Sequence, residues 1–164
     1  MGSVTGGVAT GPLGQLRLLL FSFVAGLVML GVVAVILASS SGDDAEGLPV
    51  GAAAGVVAVV GVVGWLLGPR LGPRLDCSTA ATLVATYRSR FLVRLGTAEA
   101  AALTGFVMVV LTGEPLLYAL GLAFTLVGFL RAAPSARNLA RDQEDLAVRG
   151  CAHPLAETLR GSNV

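Results

Sequence analysis

The stretch STAATLVATYRSRFLVRLGTAEAAALTGFVMVVLTG, residues 78–113, decides the fold of this chain. As a single helix it would be about 50 Å long, which exceeds the ~30 Å hydrocarbon core of a bilayer. Its first half carries three arginines: Arg88, Arg90 and Arg94. Residues 95–112, in contrast, contain one ionisable residue, Glu99. We therefore predict that the second half crosses a membrane and that the first half extends beyond it.

The composition indicates an integral membrane protein. Of its 164 residues, 55% are hydrophobic and 13% are charged, and the mean hydropathy is +0.83. A chain of this size cannot bury so much apolar surface in a water-soluble core. All 11 basic residues are arginine, and Ala, Val, Leu and Gly dominate, which is typical of a GC-rich bacterial genome. We therefore expect a protein of the bacterial plasma membrane.

Four apolar runs define the predicted layout, which is all-α. We expect a flexible tail over residues 1–15, a transmembrane domain over 16–133 with spans at about 16–38, 50–68, 95–112 and 115–131, and a helical tail over 134–164. Gly113 suits the left-handed residue just past a helix, and the link from it to Pro115 is so short that the last two spans must form an antiparallel hairpin. In the tail, we expect a helix that begins at Pro134 and Ser135 and closes at Gly150. The prediction is two antiparallel hairpins, with the third helix extending into the cytoplasm and a solvated C-terminal helix lying under the membrane.

Two alternatives to this layout stay open. The first span has the ingredients of a signal peptide, but its apolar run is longer than such peptides carry, which favours an uncleaved helix. Gly96 could separate an interfacial segment from the third span, because glycine weakens a helix. Continuity is favoured by an unbroken apolar row at four-residue steps: Leu83, Tyr87, Phe91 and Leu95.

The distribution of charge predicts the topology. Every arginine lies in or at the edge of the N-terminal segment, the segment between the second and third spans, or the C-terminal tail. The other two loops carry only acidic residues: Asp43, Asp44, Glu46 and Glu114. The positive-inside rule then places both termini in the cytoplasm. Because Cys77 and Cys151 would face a reducing compartment, we predict no disulfide between them.

Small residues recur at helical spacing in two spans. The helix-packing candidates are Gly51, Ala54, Ala58 and Gly61 in the second span, with Trp65 and Gly68 on the same face, and Gly121 and Gly128 in the fourth. Small faces let helix backbones approach closely in lipid. The alternative is that abundant Gly and Ala reflect the composition of the genome alone. Trp65, at the end of its span, suits the aromatic belt of the interface.

Two resemblances bear on function. The run TAEAAALTGFVMVVL, residues 97–111, resembles the carboxylate helix of the rotor ring subunit c family of rotary ATPases, in which a Glu flanked by Ala or Gly precedes a Gly. This resemblance implies that Glu99 carries an ion and that Gly51 to Gly68 forms the glycine-rich first helix. Glu99 departs from the pattern, since it lies about 6 Å beyond Leu95 and not near mid-membrane. The whole layout more closely resembles small four-span, actinobacterial-type membrane proteins with no assigned activity, which leaves the function open.

Signatures of catalysis and metal binding are absent from the sequence. It has no nucleophile elbow, no phosphate-cradling glycine loop and no paired His/Glu spacing, and Cys151 with His153 is too few for a structural zinc site. We therefore predict no enzyme, no catalytic residue, no metal and no cofactor. The basic residues are too few for nucleic acid, whereas anionic lipid headgroups suit Arg88, Arg90 and Arg94.

Three functions remain. The first is a non-catalytic structural or accessory protein that forms a homo-oligomer or joins other membrane subunits through its Gly/Ala faces. The second is an ion-handling protein that uses Glu99, and the third is an anionic lipid-binding protein. A structural Glu99 needs a partner, and the antiparallel register sets it opposite Gly128 with Arg131 in reach. We predict an ion pair between Glu99 and Arg131, with Arg94 as the competing partner.

Overall fold

The computed structural model describes residues 11–40, 48–151 and 154–160, and all of its regular structure is helical. The helices are α1 (Pro12–Ser40), α2 (Val50–Leu71), α3 (Ala80–Thr112), α4 (Leu116–Ala132), α5 (Ala136–Val148) and α6 (Leu155–Arg160). The predicted all-α class is confirmed. The acidic loop with Asp43, Asp44 and Glu46, and the tail before Gly11, lie outside the described residues.

Three helices, α1, α2 and α3, are long and apolar enough to cross a membrane. The number rises to four if α4 and α5, which meet at a bend of 58°, count as one broken span. α1 begins at Pro12, within the segment predicted to be a tail, since proline is well suited to the first turn of a helix. The helices therefore fit a membrane protein of three or four spans.

α2 continues past the predicted end of the second span at about residue 68. Pro69 lies inside the helix, and Arg70 donates a hydrogen bond to the Leu66 carbonyl at 2.7 Å in the last turn. A proline removes one donor and disturbs the preceding turn, but one further turn can form beyond it. The helix ends at Gly72, whose backbone is extended (φ −68°, ψ 148°), as the residue before Pro73 favours.

α3 is one continuous helix across Gly96, as predicted. Thr79 begins it with a capping box, in which the Thr79 hydroxyl accepts from the Thr82 amide at 3.1 Å and Thr82 accepts from the Thr79 amide at 3.0 Å. It ends at Gly113 in the left-handed conformation (φ 72°), also as predicted. The apolar row that favoured continuity is buried: Leu83, Tyr87, Phe91 and Leu95.

α3 and α4 form the antiparallel hairpin that the short link requires. A Cβ on Gly128 would lie 2.5 Å from the Ala98 Cβ, and a Cβ on Gly121 would meet the Ala101 carbonyl oxygen. Thr125 is fully buried between them, where its hydroxyl donates to the Ala98 carbonyl at 2.8 Å. The observed register, Ala98 opposite Gly128, is one residue from the predicted one.

The prediction that α1 and α2 pack together as a hairpin is corrected, because each of them makes its main contacts with other helices. α1 makes its main contacts with α3, α4 and α6, and α2 packs against α3 and α4 on its own side. On α2 the small-residue face is shifted as well: Gly61 meets the Phe124 ring, whereas Gly51 has nothing within 4 Å. The fully covered positions in its first half are Ala53 and Val57, next to the partly covered Ala54 and Ala58.

The C-terminal segment contacts the bundle through one face, and α5 is therefore solvated on its other sides but not on this one. Leu146 on α5, and Leu155 and Leu159 on α6, are at most 1% exposed. α6 packs against α1 and α3. The predicted ends of α5 are correct, because Ser135 caps its start through the Asn138 amide (3.3 Å) and Gly150 has a φ of 76°.

A disulfide joins Cys77 to Cys151, contrary to the prediction of two free thiols. It connects the link between α2 and α3 to the residue that follows α5, with the two Cα atoms 5.8 Å apart. The prediction was wrong because it rested on the compartment, and because nothing in the local pattern indicated that the tail folds back onto the bundle. The disulfide thus fixes the far end of α5.

Candidate functional site

A cavity of about 710 Å³ lies at the arginine-rich end of the bundle, between α2, α3, α4 and α5. Its charged lining residues are Arg90, Arg94, Arg131, Arg137, Arg141, Asp142 and Asp145. Five arginines against two aspartates leave a formal surplus of three positive charges. Guanidinium groups bind phosphate and carboxylate through paired N–H donors. We call this the arginine-lined cavity, and it is suited to an anion.

α3 supplies two of these arginines from one face, because Arg90 and Arg94 are one helical turn apart. Arg94 forms a two-pronged ion pair with Asp142 of α5, at 3.3 and 3.4 Å. Arg90 is half-buried, and its Nε atom is buried with no hydrogen-bond partner in the described part of the chain. A buried donor without an acceptor costs free energy. Among the lining residues, Arg90 therefore has a buried donor that lacks an acceptor.

Trp65 of α2 forms one wall of the cavity. Its indole N–H donates to the Phe124 carbonyl of α4 at 3.0 Å, and its ring lies 4.9 Å from that of Phe124 between centroids. The Arg131 guanidinium lies over the Trp65 ring, 5.0 Å from its centroid. Such a contact orients an arginine without neutralising its charge. Arg131 is thus held at the cavity with its positive charge intact.

The elbow between α4 and α5 positions the remaining arginines. The Asn138 side-chain amide donates to the Ala133 carbonyl at 2.8 Å and to the Arg131 carbonyl at 3.0 Å, which satisfies acceptors left free at the end of α4. This capping fixes the bend from which α5 runs along the cavity. Arg137 and Arg141, one turn apart, both line it as a result.

The predicted ion pair between Glu99 and Arg131 is absent from the described residues, and this prediction is corrected. Thr97 contacts α2 at Gly64, and Glu99 lies about 200° further around α3, which is the side away from α2. Arg131 instead lies on Trp65 of α2. The competing partner, Arg94, pairs with Asp142.

The predicted headgroup residues divide into two groups. Arg90 and Arg94 line the cavity, whereas Arg88 is exposed and lies outside it. Glu99 is half-buried and does not line the cavity. Among the residues that the structure describes, no cluster of three His, Cys, Asp or Glu side chains could hold a metal ion; His153 lies outside that part.

Asp142 is a lining residue that was not predicted, although the sequence contains a signal for it. Leu139, Asp142 and Leu146 recur at steps of three and four, so Asp142 falls within the apolar stripe of α5. A carboxylate on an apolar face indicates a buried, paired charge, and Asp142 is only 3% exposed. The contact of Trp65 with Arg131 had no comparable local signal, since it joins α2 to α4.

A second, apolar groove of about 390 Å³ runs along α2 and α3. Its lining residues are Val59, Val60, Val63, Gly64, Leu67, Leu71, Thr97 and Ala100. Gly64 and Thr97 also line the arginine-lined cavity. The charged and apolar sites therefore meet at the contact between α2 and α3.

No family model, curated protein or solved structure matches this chain.

Proposed function

We propose that this chain is a non-catalytic integral membrane protein that binds the headgroup of an anionic phospholipid in the arginine-lined cavity. The observation that carries the proposal is the surplus of arginine in the cavity, where five guanidinium groups meet two carboxylates. Arg90 is one of the five, and a phosphate beside its half-buried guanidinium would offset the cost of the buried Nε atom that lacks an acceptor.

The position of the cavity favours a lipid over a soluble anion. It lies where the apolar helices give way to arginines, which is the level of phospholipid headgroups. The apolar groove along α2 and α3 reaches the same point through Gly64 and Thr97. It offers an acyl chain an apolar surface that a soluble phosphate would not need.

The proposal includes a topology. We infer four spans in a bacterial plasma membrane, with α4 as the short fourth span and both termini in the cytoplasm. The support is the charge distribution: the arginines share one end of the bundle, and cytoplasmic ends of membrane proteins are enriched in basic residues. Anionic lipids of that leaflet would then face the cavity.

The test is lipid binding by the protein in nanodiscs of phosphatidylcholine, with phosphatidylglycerol as the added anionic probe. Intact-mass spectrometry should show one retained phosphatidylglycerol. Arg90→Gln and Arg131→Gln should each weaken retention about tenfold, which is the effect of one charge-assisted contact. Arg88→Gln is the matched control, because it removes an equal charge from the same helix outside the cavity.

Two outcomes would overturn the proposal. One is equal retention of phosphatidylcholine and phosphatidylglycerol by the unmodified protein. The other is an Arg88→Gln loss as large as that of Arg90→Gln, which would reduce the effect to general surface charge. Release of the lipid by free phosphate at low concentration would instead indicate a soluble anion as the ligand.

The alternative, an accessory function, can be tested through the oligomeric state of the protein. Of the small residues that motivated self-association, Gly61, Gly121 and Gly128 are occupied by contacts within the chain, whereas Gly51 has nothing within 4 Å. An oligomer built on small residues would therefore use the open first half of α2. The same intact-mass measurement reports it: a single copy supports the lipid proposal alone, a defined oligomer supports an accessory role, and a large ring with carbodiimide labelling of Glu99 supports ion handling.

A further inference from the structure

The Cys77–Cys151 disulfide lies directly after the end of α5. Cys77 belongs to the link between α2 and α3, and Cys151 follows α5 directly, 74 residues later in the chain. α5 carries Arg137, Arg141 and Asp142 along the cavity. Its start is held by the Asn138 capping contacts and its far end by this disulfide.

The charge distribution assigns this end of the bundle to a reducing compartment. Thiols in the cytosol are kept reduced, and the disulfides that do occur there are mostly transient and redox-sensing. Two cysteines whose Cα atoms are 5.8 Å apart are correctly spaced to form the bond whenever an oxidant is present. Both side chains are half-buried, so part of their surface is open to reagents.

We propose that this cysteine pair is a redox latch on the arginine-lined cavity. In the oxidised state the disulfide holds α5 against the bundle, and the cavity keeps Arg137 and Arg141. In the reduced state the part of α5 beyond the Arg94–Asp142 pair loosens, so Arg141, next to that pair, is held less firmly at the cavity and the anionic headgroup binds more weakly. This inference rests on the proposed lipid-binding function.

The chemical step is thiol–disulfide exchange with a protein or low-molecular-weight dithiol. A thiolate of the reductant attacks one sulfur, the bond between the sulfurs of Cys77 and Cys151 breaks, and the other cysteine leaves as a thiolate that takes up a proton. The second reductant thiol then displaces the first cysteine. Two electrons and two protons pass to the protein, and the reductant becomes a disulfide; oxidation of the latch is the reverse step.

Other contacts limit the part of α5 that reduction of the disulfide can loosen. Arg94 with Asp142 holds the middle of α5, and Leu155 and Leu159 hold α6 in the core. Reduction therefore loosens α5 without unfolding the bundle. The change should be greatest between Arg141 and Cys151, the part furthest from the elbow.

The primary test is amide hydrogen exchange of the full chain in nanodiscs, with the disulfide intact or reduced by a phosphine. We expect faster exchange in the second half of α5 after reduction and unchanged exchange in the buried part of α3. Cys151→Ser should show the reduced pattern under both conditions. Equal exchange in α5 with the bond intact and broken would overturn the latch.

Lipid retention separates the latch from the proposed function. Reduction should weaken phosphatidylglycerol retention about tenfold, as expected for one lost charge-assisted contact, and Arg137→Gln with Arg141→Gln should abolish that difference. Binding that is equal in both redox states overturns the latch and leaves lipid binding intact. If neither state prefers phosphatidylglycerol while α5 exchange still responds to reduction, the lipid proposal fails instead. Trapping of thiols in growing cells should capture both states, and a permanently oxidised pair would overturn the switch.

Discussion

The ion pair between Arg94 and Asp142 should contribute measurably to stability, and a double-mutant cycle can isolate it. The variants are Arg94→Gln, Asp142→Asn and the combination. The two side chains are 19% and 5% exposed, so neither charge is well solvated. Removing one partner leaves the other partly buried and unpaired, which costs roughly 3 kcal/mol in comparable pairs.

The coupling energy follows from the geometry. Two unit charges 3.3 Å apart attract by about 5 kcal/mol at an effective dielectric constant near 20. Desolvation of both groups offsets much of this attraction, and the positive charge of the neighbouring Arg90 weakens the coupling between Arg94 and Asp142 further. We therefore expect a coupling energy of about 2 kcal/mol. The two single losses should then sum to more than the loss in the double variant.

The assay is unfolding in detergent micelles titrated with a denaturing detergent and followed by circular dichroism, with the disulfide left intact. A second cycle at Glu99 and Arg131 is the control, because the structure places them on different sides of α3. Its coupling should be zero within error. A zero coupling at Arg94 and Asp142, or a clear coupling at Glu99 and Arg131, would refute the reasoning from this geometry.

Five further substitutions test the packing and the topology. Gly121→Ala should cost about 1–3 kcal/mol by overpacking against the α3 backbone, whereas Gly51→Ala, at an open position, should cost nothing or stabilise; equal effects would contradict the assigned contacts. Thr125→Val should cost about 1 kcal/mol through loss of the hydrogen bond to α3, and a neutral result would mean that this bond adds no stability. In a chain without native cysteines, Asp44→Cys should react with an impermeant maleimide on intact cells and Ser89→Cys should not; the reverse pattern would invert the topology.

Local patterns predicted the helices and their ends well. The interactions that form and end these helices act within one or two turns, so they can be read from the sequence. They are the apolar runs, the four-residue row in α3 and the glycines at 113 and 150. The α3–α4 register was predictable to one residue because a three-residue link allows almost no freedom. The one-residue difference in register was still decisive, because it turns Glu99 about 100° around α3, away from Arg131.

Contacts between distant segments could not be predicted in the same way. The docking of α6 depends on Leu155 and Leu159 meeting the bundle, and six helical residues carry too weak a period to reveal it. The disulfide, the Arg94–Asp142 pair and the stacking of Arg131 on Trp65 all depend on that docking or on helix order around α3. The cavity exists only where these long-range contacts meet.

The position of α1 has a consequence for the order in which the molecule assembles. α1 makes its main contacts with α3, α4 and α6 and not with α2. All three of these helices follow it in the chain, so α1 leaves the ribosome before any of the helices it packs against. In the proposed membrane topology, α1 would wait in the bilayer, surrounded by lipid, while the later segments are inserted. Its single charge, Arg17, lies near one end, and most of the rest of the helix is apolar, so lipid could solvate it throughout that interval. Among the described helices, α1 would thus be made early and packed late.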